Sequence, residues 1–190
     1  MRKILSKEQE EKKQRKNQLS IGIVLILVMI LSVLGYSFGS EKESNEKIVY
    51  NGFEFTKESG FWVVNIENAK FSFQYNPLEV ESINSVLNSL GDYLNKPLYI
   101  YSTEADAEAE FYKNLFYYNA IAERVQKACP ENEVCEAGLP VKTCSDNFII
   151  IKESNNSEIK QTDNCLFIEG KREDLIKLSD SVLFKIIGIQ

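Results

Sequence analysis

The sequence predicts an α/β protein: an N-terminal single transmembrane helix followed by one mixed α/β sandwich domain, ordered β-β-β-α-β-α-β-β-α and held by two disulfides. Three observations lead there. Twenty-four consecutive uncharged residues lie between Lys16 and Glu41. From Ile48 onward, short alternating apolar runs are interleaved with runs at helical spacing. All four cysteines fall in that second part.

The uncharged run is apolar from Ile21 to Leu34 except for Gly22 and Ser32. At about 1.5 Å per residue, a helix over 19–38 spans roughly 30 Å, the thickness of a bilayer core. Tyr36 and Phe38 then sit where headgroups favour aromatic rings. Residues 1–18 carry seven basic and three acidic groups, whereas 39–190 carry 15 and 25. That asymmetry places the basic tail 1–18 in the cytoplasm and the rest outside, at the cell membrane. The alternative is a cleaved signal with a small-x-small site at Ser37-Phe38-Gly39, although the apolar stretch is long for that role. A linker, 39–47, joins the span to the domain 48–190.

An even number of cysteines in an extracytoplasmic domain reads as structural disulfides. The runs beginning at Cys144 and ending at Ile168 are expected to form a hairpin around the polar turn Glu153–Ser157. A register that sets Cys144 opposite Cys165 centres the turn in that cluster, so the expected bridges are Cys144–Cys165 and Cys129–Cys135. The spacing C-x5-C-x8-C-x20-C lacks zinc knuckles and the C-x-x-C of a redox site.

Along the domain, Ile48–Phe55 is expected as a strand with a turn or bulge at Asn51-Gly52. Gly60–Ile66 and Ala69–Tyr75 follow as a hairpin around Glu67-Asn68. Asn76-Pro77 predicts an N-capped helix carrying Val80, Ile83, Leu87 and Leu90 on one face as far as Gly91. Pro97–Ser102 reads as a strand. A helix from Thr103 to about Ala128 would bury Phe111, Leu115, Tyr118, Ala122 and Val125. A last helix, Arg172–Ile187, buries Leu175, Leu178, Val182 and Ile186.

The chain contains no His, which removes the Ser-His-Asp triad, the Cys-His dyad, His-ligated metal and the imidazole switch. A net charge of −6 argues against nucleic acid as a partner. No phosphate-binding loop is present and no cofactor is expected. The acidic run Glu104, Asp106, Glu108, Glu110 reads as a solvated helix start that complements the helix dipole. The same hairpin register opposes Asp146 to Asp163, a repulsive pair unless a cation such as Ca²⁺ lies between them with Asn147 and Asn164.

Among the aromatic residues, Trp62, Tyr99, Tyr101, Tyr112, Tyr117 and Tyr118 are candidates for a carbohydrate- or peptide-binding surface. Trp62, Tyr112, Tyr117 and Asn119 stand out, the last three because they fall off the apolar face of their helix. Asn155-Asn156-Ser157 is a glycosylation sequon on an expected turn. Together these features predict a membrane-anchored, disulfide-stabilised extracytoplasmic domain acting as a binding or assembly module for a surface protein or glycan. The alternative is an extracytoplasmic enzyme, metal-dependent through Asp146 and Asp163.

Overall fold

The computed structural model describes residues 7–38 and 46–190. They fall into two units, an N-terminal helix and a domain. The first six residues of the expected tail lie outside the described residues, as do 39–45 of the expected linker and Gly39 of the candidate cleavage site.

Helix α1, Lys7–Phe38, begins in the basic tail and continues without a break through the apolar run. No proline interrupts it. Its window Arg15–Ser32 is long and apolar enough to cross a membrane.

The domain opens with a four-stranded antiparallel meander in the order β1-β2-β3-β4: Lys47–Tyr50, Phe53–Glu58, Phe61–Ile66 and Ala69–Phe73. Asn51 and Gly52 take φ of 47° and 85°. This is the tight turn whose backbone twist matches a hairpin. The single strand expected over 48–55 is therefore two strands.

The predicted helix after Asn76-Pro77 is a single capped turn. Asn76 Oδ1 accepts from the Leu78 N–H at 2.8 Å, and the Asn76 N–H donates to Glu79 Oε2 at 2.8 Å. The cap forms as expected, but the helix does not continue. Ser181 Oγ donates to the carbonyl of Glu81, and Ser85 Oγ to that of Ile159. These bonds hold the segment irregular across the domain, and its Ser, Asn and β-branched residues give a helix little to oppose them. Only Leu90–Tyr93 is helical, as α2.

The second sheet is five-stranded. Strand β5, Pro97–Ser102, is followed by α3, Ala105–Tyr112, which widens into one π-helical turn, Lys113–Tyr117. The expected long helix stops here because Ala120 takes the left-handed φ of 48°. Arg124–Lys127 instead forms β6, parallel to β5, so Val125 lies on a strand. Tertiary pairing here outweighs the helix propensity of Ala, Glu and Arg.

A loop carrying the short pair β7, Cys129–Pro130, and β8, Val141–Lys142, leads to β9, Phe148–Glu153. Then come β10, Glu158–Thr162, and β11, Cys165–Gly170. The strand order is β10-β11-β9-β5-β6.

Here the structure corrects the expected hairpin. Strands β9 and β11 are parallel, with Phe148 opposite Cys165, and β10 turns back antiparallel onto β11. The continuous apolar run Phe148–Ile151 is buried throughout and suits an interior parallel strand. The alternating, half-exposed β10 forms the edge. Both disulfides nonetheless join the expected partners, Cys129–Cys135 and Cys144–Cys165, with Cα atoms 5.9 and 4.8 Å apart.

A 3₁₀ turn, Arg172–Asp174, leads into α4, Leu175–Ile186. The two helices pack side by side between the sheets. Phe184 meets Phe55 and Phe73 of the meander at ring distances of 5.9 and 4.4 Å. Leu175 and Val182 share the same core with Leu98, Ile100, Ile149, Ile151 and Leu166 of the second sheet. The order is thus sheet, helices, sheet. The far face of the second sheet holds a smaller core of Tyr99, Phe148, Ile150 and Cys165, packed beside Cys144.

Candidate interaction surface

The π-helical turn determines where the predicted contact residues go. Its extra residue sets Asn114 and Asn119 side by side along the free edge of β4. The Ser72 N–H donates to Asn114 Oδ1 at 2.8 Å, and Asn114 Nδ2 donates back to the Ser72 carbonyl at 2.8 Å. Two residues along the strand, the Lys70 N–H donates to Asn119 Oδ1 at 2.9 Å, and Asn119 Nδ2 returns to the Lys70 carbonyl at 3.0 Å. A third bond runs from Asn119 Nδ2 to the Asn114 carbonyl. Asn119, singled out for ligand contact, therefore closes a sheet edge. Its exposure alone would not have revealed this.

With the asparagines turned inward, the aromatic residues of the same turn face out. Tyr112 and Tyr117 are 42% and 68% exposed, Tyr118 48%, and Phe61 of β3 43%. Tyr112 and Tyr117 stack at 6.4 Å with 26° between their planes, and Tyr118 lies edge-on to Tyr117 at 5.2 Å. Tyr112 also meets Phe116 at 5.5 Å. The Lys113 ammonium sits 4.7 Å above the Phe61 ring, tying β3 to the helical turn. The rings of Tyr112, Phe116, Tyr117 and Tyr118 form one connected patch, and the exposed Phe61 is joined to it through Lys113.

The other aromatic candidates lie elsewhere. Trp62 is 3% exposed and belongs to the core. Period-2 alternation places it on the face opposite Phe61. Tyr99 is buried, and its hydroxyl accepts a hydrogen bond from Arg124 Nη2 at 3.1 Å. Together with nearby Lys142, that bond holds the phenol below its usual range. Tyr101 is half-buried, with Lys152 5.9 Å from its ring centre.

The antiparallel register that would oppose Asp146 to Asp163 is not formed. Asp146 pairs with Lys142 at 3.1 Å. Asp163 takes φ of 49° at the β10–β11 turn. Among the described residues, no group of three or more His, Cys, Asp or Glu is arranged to hold a metal ion. Asn155 is exposed in the β9–β10 turn.

The acidic run divides. Asp106 is exposed, Glu104 pairs with Arg172 at 2.7 Å, and Glu108 with Lys127 at 3.0 Å. Glu110 is buried at 3% and its carboxyl group contacts that of Asp180 on α4, which has no exposed surface. The solvated reading thus fails for Glu110. The helical period carries a signal of this, since Glu110 precedes Phe111 and Asn114 on the inward face, but nothing in the sequence points to Asp180 as its partner.

An open cleft of about 420 Å³ runs between the irregular segment, β10 and α4, lined by Glu79, Glu81, Glu158, Asp174 and Lys177 among others. Comparison with known proteins finds no matching family model, no matching curated protein and no matching solved structure.

Proposed function

We propose that this chain is a single-pass membrane-anchored protein, its basic tail cytoplasmic, and that its disulfide-stabilised domain works outside the cell membrane as a binding module for another protein. The single observation that carries the binding reading is the connected, exposed cluster of Tyr112, Tyr117 and Tyr118, with the exposed Phe61 joined to it through Lys113. Tyrosine-rich patches supply large contact area at low entropic cost and are enriched at interface centres. A protein partner fits better than a glycan. Sugar recognition needs convergent hydrogen-bonding side chains, and here both neighbouring asparagine amides are consumed by β4. Two disulfides support an oxidising compartment, and the apolar length of α1 supports the anchor.

The test is site-specific photo-crosslinking in native membranes, with the crosslinker at position 117 and a control at Val134, which is fully exposed and so packs against none of the rings. A discrete adduct at 117 that Phe61→Ser and Tyr112→Ser abolish is expected. No adduct at 117, or the same adducts at both positions, would overturn the binding reading. Thiol-blocking before and after reduction, on the same membranes, tests the compartment independently. Four blocked thiols are expected, and four free thiols would place the domain inside.

A further inference from the structure

The pair of carboxyl groups between α3 and α4 belongs to no surface and no cleft, yet it occupies the centre of the helix layer. Glu110 Oε1 is paired with Lys113 Nζ at 2.7 Å. Asp180 Oδ2 accepts the Tyr75 N–H at 2.8 Å. The remaining oxygen of each group, Glu110 Oε2 and Asp180 Oδ1, is buried with no hydrogen-bond donor. Both oxygens can only accept while ionised. Two ionised carboxylates in contact, away from water, repel each other and leave two acceptors unsatisfied. One proton removes both defects, because it turns one carboxyl into a donor to the other.

We propose that Glu110 and Asp180 hold a single proton between them at neutral pH, and that this proton is a latch joining α3 to α4 that opens as the pH rises. Charge balance agrees. One proton leaves the pair with a single negative charge, which Lys113 neutralises at contact distance. The other groups that bear on the pair are Asp106, one turn earlier on α3, and the Tyr75 N–H at the end of the meander. Lys177 of α4 is occupied over the Tyr75 ring at 5.1 Å. Burial first, and then the neighbouring carboxyl, push the Asp180 acid well above its ordinary 3.8, and burial raises Glu110.

The direction of the pH dependence follows. An acid whose value is raised by folding stabilises the folded state fully below its unfolded value. That contribution is lost as the pH climbs from there through the folded value. The latch therefore makes the domain most stable on the acid side, opposite to a surface carboxylate held by a lysine.

The test uses the full chain in detergent micelles, unfolded by heat at a series of pH values from about 5 to 9. The unsubstituted protein is expected to lose stability across the series, with uptake of about one proton on folding. Asp180→Asn carries a permanent donor in place of the shared proton and is expected to abolish most of that slope, as is Glu110→Gln. Infrared spectroscopy of the unsubstituted protein at neutral pH is expected to show the carbonyl stretch of a protonated carboxylic acid. The band decides the question even if a variant does not fold. An unchanged slope in Asp180→Asn, or no such band at neutral pH, would overturn the latch.

Discussion

Asn119 holds Lys70 at both polar atoms of its main chain, as a neighbouring strand would. Asn114 does the same for Ser72. Two side-chain amides from a helical turn thus extend an antiparallel sheet by one imitation strand. Asn114 is fully buried, whereas Asn119 is half-buried. Asn114→Ala should therefore cost about 1–3 kcal/mol, because the Ser72 N–H and carbonyl lose their partners out of reach of water. Asn119→Ala should cost about 1 kcal/mol or less, since water can replace the amide. Denaturant unfolding of the two variants checks the order, and an equal loss would show that water reaches both sites alike.

The disulfides should contribute unequally. Loop entropy gives about 3 kcal/mol for Cys144–Cys165, which closes a separation of 21 residues, and about 2 kcal/mol for Cys129–Cys135, at a separation of 6. Paired Cys→Ala variants, compared by thermal unfolding under oxidising conditions, should rank in that order. The longer bridge also ties the start of β11 to the loop before β9, so its loss should increase hydrogen exchange in both strands.

Phe184 is the ring that seats α4 on the meander. Phe184→Ala should lower stability by about 3–5 kcal/mol, through lost burial and the cavity left among Phe55 and Phe73. Phe184→Leu should cost distinctly less. Equal losses would indicate that ring shape rather than volume matters there.

Tyr117→Ser should leave stability within about 0.5 kcal/mol of the parent, because the ring is 68% exposed. The same change should remove co-purified partner. A variant that kept partner binding while losing stability would reverse the roles assigned to this ring.

Local chemistry was legible in the sequence wherever it acted locally. The apolar run became α1, the Asn51-Gly52 pair became a turn, and Asn76 capped the turn after it. Pairing between distant segments was not. The Cys144–Cys165 bridge was expected from a hairpin that does not exist. It forms because the parallel register brings Phe148 to Cys165, with the chain from Cys144 looping beside it. The same hidden register separated the expected Asp146–Asp163 opposition from the structure. Within the candidate surface, Tyr112 and Tyr117 followed from helical periodicity. Asn119 shared that periodicity, but its role depended on a strand edge far away in sequence.

Because α4 is lined on one side by the meander and on the other by the second sheet, neither sheet has a finished inner face until α4 arrives. Strands β1–β11 leave a ribosome before this helix does, so they emerge with their apolar faces still uncovered. The domain therefore cannot complete itself piecemeal as it is made. Its two halves wait for one late segment, and that interval is when the chain most needs shielding from its neighbours.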